Sequence, residues 1–329
     1  MIPNGKPLPR DDLLMIDKTK AEGTPTEINT TLGWVIDTQR LMLSLPEKKR
    51  NEWTRDVEFI LENADCNRRI QCAELETLVG RLERVASILQ EGKHFLNRLH
   101  AAEMRAQTHG STRLSVECRK DLTLWIAFLL KAFQGVDINT LVSRVPDRIV
   151  CTDACEHGLG GFSLTTGRAW RWEIPVAYWH TKSINFLEFL ACIAGILVSL
   201  SEEADVVAGD CYLSLGDNTS SLGWLRRSNF ARVDDDQASH SGLARYYALI
   251  MAEQGLCSTS QWFAGKENEA ADFLSREPHE NDRFLTESTL LRFPSQLSPD
   301  FRVSPLPPQI ISILDYWVQH THATTALPP

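Results

Sequence analysis

Apolar and polar positions alternate on both sides of Asp37–Arg40 in TLGWVIDTQRLMLSLP, Thr31 to Pro46, and this predicts a hairpin of two short strands. Beyond Pro46 the period changes. In EKKRNEWTRDVEFILENA the apolar residues Trp53, Val57, Ile60 and Leu61 recur at helical spacing, with the proline beside the first turn. Leu75, Leu78, Val79, Leu82, Val85 and Ala86 repeat that spacing in CAELETLVGRLERVASIL. KHFLNRLHAAEMRAQ and SVECRKDLTLWIAFLLKAF supply two more helices, and QGVDINTLVSRVP reads as the linker that follows.

From Arg148 the pattern is that of strands. RIVCTDA is a short β-branched run, GLGGFSLTT alternates after its glycines, and GRAWRWEIP alternates again after a Thr-Gly turn, predicting a three-stranded antiparallel meander. The apolar run INFLEFLACIAGILVSL, residues 184–200, predicts a long helix. It carries Glu188 and falls short of the ~20 residues a bilayer needs, so it reads as a helix buried in a soluble core, with no membrane partner. DVVAGDCYLSLGD then reads as a strand, NTSSLGWLRR as a short helix, DQASHSGLARYYALIMAEQG as a long helix, LCSTSQWFAG as a strand and ENEAADFLSR as a last helix. The order is βββαβαβα. After Pro278, where 8 of the 15 prolines fall, one amphipathic helix is expected in QIISILDYWVQH, with Ile310, Ile313, Leu314 and Trp317 on one side and irregular chain around it.

The 329 residues suit two domains of about 100–200 residues. The boundaries are a loose lead-in over 1–30, a hairpin and helical domain over 31–135, a linker over 136–147, an α/β domain over 148–277 and a Pro-rich tail over 278–329. The eight cysteines make no CxxC pair or zinc spacing, and MIPNGKPLPRDD has no apolar signal region. Reduced thiols inside a cell, in cytoplasm or nucleus, are the simplest account. The formal charge of −9 is uneven: residues 1–150 hold 22 Lys+Arg against 21 Asp+Glu, and the other 12 against 22 lie in residues 151–329. A basic footprint is therefore expected in the first half, and an acidic second half suits metal binding better than direct phosphate binding.

Four carboxylates stand at strategic points of the βββαβαβα order: Asp153 ends its first strand, Glu188 lies in the first turns of the long helix, Asp217 ends the fourth strand and Asp272 lies in the final helix. For any one alone a cap or turn role is the simpler account. Glu188 within an apolar helix and Asp272 beside Ala270, Ala271, Phe273 and Leu274 are harder to place that way, because a carboxylate near an apolar face is costly unless paired or bound to a cation. Converging carboxylates would have raised proton affinities unless neutralised, and Mg²⁺, hard and oxygen-seeking, is the natural cation. Two such ions about 4 Å apart would activate water and stabilise a leaving 3′ oxygen in attack on a phosphodiester.

The segments VCTDACEHGLGGFSL, INFLEFLACIAGI, LSLGDNTSSLGWL and WFAGKENEAADFLSR resemble the four motifs of the ribonuclease H domain of retroelement reverse transcriptases of the DIRS-like type. TLGWVIDTQRLMLSLPEKKR resembles the primer-grip hairpin and the start of the thumb, and ELETLVGRLERVASILQEGKHFLNRL the thumb and connection helices, so the resemblance covers about residues 28–280. It implies an α/β fold, a ribonuclease H-like mixed sheet preceded by a small, mainly helical thumb and connection domain. It implies that Asp153, Glu188, Asp217 and Asp272 hold two Mg²⁺ ions, with Mn²⁺ able to substitute, and cut the RNA strand of an RNA–DNA hybrid. The partners it implies are that hybrid or a template–primer duplex, gripped through Gly33, Trp34, Lys48, Lys49, Arg81, Lys93 and Asn218, with Arg50 and Arg98 as further phosphate contacts, and an upstream polymerase palm and fingers in a parent polyprotein. For any single basic residue a solvated helix face is the simpler account.

Four features depart from that pattern or lie outside it. No Tyr-x-Asp-Asp strand pair occurs, so the chain is not expected to polymerise. The loop AGKENEA, before the last helix, lacks the histidine common in the family and offers Lys266 or Glu267 instead. AWRWEIPVAYWH interleaves Trp170, Arg171, Trp172, Tyr178, Trp179 and His180, which suits either base stacking or a packed strand. Asp234–Asp236 suits a solvated loop ahead of a helix better than a cation site. The alternative function is a catalytically degenerate or host-retained fragment that binds nucleic acid or a protein partner.

Overall fold

The computed structural model describes residues 27–202, 206–225 and 237–319, so most of the lead-in, the Asp234–Asp236 run and residues 320–329 lie outside the described residues. The architecture is mixed α/β. The predicted hairpin forms as β2 (Trp34–Asp37) and β3 (Met42–Ser44), and a further strand, β1 (Ile28–Thr31), pairs antiparallel with β2. That extra strand turns on Leu32 and Gly33, whose φ angles of 52° and 80° are those of a two-residue hairpin loop with both central residues left-handed.

Four helices follow: α1 (Glu47–Asp65), α2 (Cys72–Ala86), α3 (Asn97–His109) and α4 (Val116–Gln134). Each starts or stops on local chemistry. Pro46 precedes α1, the Glu74 carboxylate accepts from the Gln71 backbone at the head of α2, and Ser115 caps α4 by accepting from Cys118 N. Two-residue strands β4 (Ile70–Gln71) and β5 (Ser111–Thr112) pair between the helices, and β6 (Val136–Asp137) joins the edge of β3. The linker segment is therefore tied to the hairpin rather than loose.

The second sheet holds β7 (Arg148–Ala154), β8 (Gly158–Ser163), β9 (Arg168–Glu173), β10 (Cys211–Gly216), β11 (Cys257–Trp262) and β12 (Arg302–Val303) in the order β11-β10-β7-β8-β9-β12. The meander β7–β8–β9 is antiparallel, while β10 is parallel to both β7 and β11, and β12 is parallel to β9. Alternation along β7 divides the core. Val150 and Ala154 belong with α5 (Ile184–Glu202), whereas Cys151 packs with α8 (Glu269–Arg276) on the other face. The apolar stretch Ile184–Ser201 is 72% buried within this core. Helices α6 (Thr219–Trp224) and α7 (Gln237–Gln254) complete the α5 side.

The tail differs from the expectation of one helix in irregular chain. Two helices, α9 (Asp282–Arg292) and α10 (Pro308–Gln319), flank β12. Among the described residues its prolines stand between elements or at the first residue of α10, where a missing N–H costs nothing, so they punctuate structure instead of preventing it. Ile310, Leu314, Trp317 and Val318 join the main core, and Arg171 holds α9 by pairing with Asp282 at 2.5 Å and donating to Glu280 O at 2.7 Å.

One apolar cluster runs through both the helical region and the α5 side of the sheet. Across their junction Asp121 of α4, 0% exposed, pairs with Arg98 and with Arg245 of α7, each at 2.8 Å. Arg245 also reaches Glu117 at 2.6 Å, and Arg98 donates to Ser241 Oγ at 2.8 Å. Burial raises the proton affinity of Asp121 even though Arg245 and Arg98 oppose it. Asp121→Ala would leave two guanidiniums without their shared carboxylate and should cost about 3–5 kcal/mol, read as a fall in the urea midpoint. Arg283→Ala, in the exposed Arg283–Glu287 pair, should leave that midpoint essentially where the parent has it.

Candidate metal centre

Asp153 lies on the α8 face of β7, directly opposite Gly160 of β8. A Cβ on Gly160 would lie 2.5 Å from Ser275 N and 2.7 Å from Leu274, so only glycine lets α8 rest on this strand pair. Ala270 and Ala271, both 0% exposed, keep the rest of that contact equally close. The approach brings Ser275 Oγ to 2.8 Å from Asp153 Oδ2 and 2.9 Å from Asp272 O. Ser275 stands three residues after Asp272, on the same helical face, which is the one sequence signal that could have singled it out.

Asp217 follows β10, beside β7 in the sheet. Its carbonyl accepts from Trp262 Nε1 at 2.8 Å, and the loop before α8 runs so close that a Cβ on Gly265 would lie 2.9 Å from Asp217 Oδ2. Asn218 caps α6, accepting from Ser220 N and Ser221 N, and donates its amide to Asn185 Oδ1 at 2.8 Å. Asn185 opens α5 one turn before Glu188. Asn218 is one of the residues expected to grip nucleic acid, whereas neither its partner Asn185 nor buried Asn268, which donates to Thr152 O at 3.0 Å, carried a signal in the sequence.

The consequence is a cluster. Asp153, Glu188 and Asp217 offer carboxylate oxygens that all lie within 4.8 Å of one another. Asp153 is 5% exposed and Glu188 7%, while Asp217 is half-buried. Burial pushes the Asp153 carboxyl up to about 7, helped by the charges of Asp272 and Asp217 and opposed by the Ser275 hydroxyl and Arg276. Burial likewise lifts Glu188 to about 8, reinforced by Asp153, Asp217 and Asp272. Asp272 is the outlying member: it stands in the first turn of α8 and pairs with Arg276 at 2.7 Å. Among the described residues no basic side chain pairs with Asp153, Glu188 or Asp217. An oxygen-only, multiply anionic donor set without a protein cation fits a hard divalent ion such as Mg²⁺ or Mn²⁺.

The residues expected to grip nucleic acid are scattered in their circumstances. Lys48 and Lys93 are exposed. Lys49 donates to Gly33 O at 3.2 Å and sits 5.8 Å from the Trp53 ring; burial and the nearby Arg84 charge lower its proton affinity. Trp34 is 9% exposed and belongs to the core. Arg50 lies over Phe133 at 4.9 Å, Arg81 pairs with Glu52 and Asp56, and Arg98 is held by Asp121. Lys266 and Glu267 are exposed in the turn before α8. In AWRWEIPVAYWH, Trp170 and Trp172 are buried strand residues, and the Trp179 ring lies tilted against His157 with centroids 4.3 Å apart.

No protein-family model and no curated protein matches the chain. Among solved structures it is similar to the foamy viral protease-reverse transcriptase dRH in complex with ds DNA, at 8% identity and a TM-score of 0.26 over 71% of this chain and 38% of that one. It is also similar to the foamy viral protease-reverse transcriptase in complex with RNA/DNA hybrid, at 9% identity and a TM-score of 0.25 over 71% of this chain and 29% of that one.

Raised carboxyl affinities carry a sign. The folded protein keeps protons that ordinary carboxylates release near pH 4, so the stability from Asp153 and Glu188 is complete below about pH 4 and is lost as pH rises through about 7 and about 8. In EDTA at about pH 8, Glu188→Gln should therefore be more stable than the parent by on the order of 2–4 kcal/mol, with little difference near pH 4. Added Mg²⁺ should stabilise the parent and not the variant, as thermal melts will read.

Proposed function

We propose that the chain is a divalent-metal-dependent endonuclease that hydrolyses the RNA strand of RNA–DNA hybrids, on a ribonuclease H-like arrangement of the second sheet. One observation carries this reading: three carboxylates from separate segments share a 4.8 Å space at one end of the sheet, two of them buried. Such a cluster costs stability and no packing need explains it, so its use lies in holding cations. Bound there, two Mg²⁺ ions, or Mn²⁺ in their place, would supply the positive charge that favours an attacking water and a leaving 3′ oxygen.

The chain's own residues divide the remaining work. Ser275 holds Asp153 Oδ2, leaving the other oxygen free to act as a ligand. Glu188 orients the attacking water, and Asp217 is steadied through its backbone by the Trp262 indole. Asp272 completes the set by leaving Arg276, an exposed pair that contributes little to stability and is cheap to break. In the helical region Lys48, Lys49 and Lys93 are the lysines that meet phosphates, and a polymerase palm and fingers belong upstream in the parent polyprotein.

Cleavage of a labelled RNA–DNA hybrid in Mg²⁺, against EDTA, single-stranded RNA and duplex DNA as controls, tests the reading. Asp153→Asn should lower the rate by about 10²–10³-fold, the scale of losing one electrostatic stabiliser. A hybrid left intact by the parent, or cut equally well by Asp153→Asn, rejects it. The engagement of Asp272 by Arg276 favours a second reading, a degenerate fragment that only binds nucleic acid or a partner. That reading expects no stoichiometric Mg²⁺ heat in isothermal titration, whereas the enzyme reading expects heat that disappears in Asp153→Asn.

A further inference from the structure

Six of the nine tryptophans, Trp34, Trp53, Trp125, Trp170, Trp172 and Trp317, are 9% exposed or less. Trp262 is 53% exposed, and it ends β11, one of the two edge strands of the sheet. Exposure of this kind is costly for so large an apolar ring. The ring is nonetheless fixed, because its only hydrogen-bond donor is spent on Asp217 O at 2.8 Å. The indole is thus separated from the Asp217 carboxylate by no more than that residue's own backbone and Cβ.

What the ring still offers a ligand is its flat face, which recognises planar π systems without regard to their hydrogen-bonding edges. Four residues on, Lys266 is exposed and forms no ion pair among the described residues. Gly265, between them, passes against Asp217 Oδ2. An exposed aromatic ring and an exposed lysine therefore both belong to the stretch of chain, 262–266, that meets Asp217 through Trp262 and Gly265, and they are the two kinds of group that a single nucleotide answers, with a base and a phosphate.

We propose that Trp262 and Lys266 form a one-nucleotide subsite, in which an unpaired base stacks on the indole and its phosphate meets the ammonium, beside the hydrolytic centre. A base within a duplex is already stacked on its neighbours, so the occupant is a nucleotide from a single-stranded extension or a junction. The subsite rests on the reading of the cluster as a phosphodiester hydrolase. It makes that activity favour hybrids with an unpaired nucleotide next to the cut over fully paired ones.

The test compares a fluorescein-labelled blunt RNA–DNA hybrid with one carrying a three-nucleotide single-stranded RNA extension, binding measured in Ca²⁺ and cleavage in Mg²⁺. The parent should bind the extended hybrid roughly ten- to a hundredfold more tightly, the range expected from stacking one base. Trp262→Ala should abolish the preference, Trp262→Phe should keep most of it, and Lys266→Ala should reduce it several-fold with a weaker dependence on salt. Because Lys266 is exposed, its variant reports on the subsite even if Trp262→Ala fails to fold. Equal binding of the two hybrids by the parent overturns the proposal, and so does a Trp262→Phe variant as impaired as Trp262→Ala, which would reduce the indole to a backbone anchor. A parent that shows the preference but cuts neither hybrid keeps the subsite and loses the hydrolase.

Discussion

Like charges held together in a poorly solvated place are the constraint around which the sheet is organised. Asp153, Glu188 and Asp217 lie within 4.8 Å of one another, and nothing local in β7, α5 or the end of β10 would hold them there against their repulsion. The force comes from elsewhere. Parallel pairing of β7 with β10 sets Asp153 and Asp217 at one end of neighbouring strands. Phe186, Phe189, Leu190 and Ile193, each 1% exposed or less, seat α5 and hence Glu188, at roughly 2 kcal/mol per buried side chain. Small residues between β8 and α8 then let Ser275 meet Asp153, so the ligand geometry is set by packing and tuned by single hydrogen bonds.

The same logic joins the two halves of the chain. A helical region tethered by a loose linker would move freely against the sheet, yet the apolar core runs across the junction and Asp121 binds arginines from two segments far apart in sequence. Buried ion pairs add less to stability than apolar packing of the same volume, but they allow only one register. Arg98 and Arg245 thus specify how α4 faces α7. With these contacts in place, the helical region is held in one position against the α7 side of the sheet.

Much of this was legible along the chain, and the failures share a cause. Helix and strand periods are local, so the four helices of the first region and the strands of the second stand out in the order of apolar residues. The tail hid a helix and a strand because prolines mark the ends of elements as readily as their absence, and because β12 has only two residues and exists through its pairing with β9. Strand β1 depended on a turn in which Leu32 adopts a conformation unusual for it. Arg81 and Arg98 looked like candidates for phosphate because a sequence shows that an arginine is present, not which carboxylate answers it. Asp272 sits where its motif suggests, at the head of α8, but Arg276 one turn later engages it.

By itself the sequence determined the alternation of apolar and polar positions, and with it the elements and their order, because a period of 2 or 3.6 is set by the geometry of one strand or one helix. It also placed an acid at each of four element ends. Only the tertiary structure decided that three of those acids converge while the fourth is held by an arginine. It alone left Trp262 exposed beside them and bound Arg98 to Asp121. Distance and burial arise between segments, where no local pattern records them, and those two quantities turn a carboxylate from a cap into a ligand.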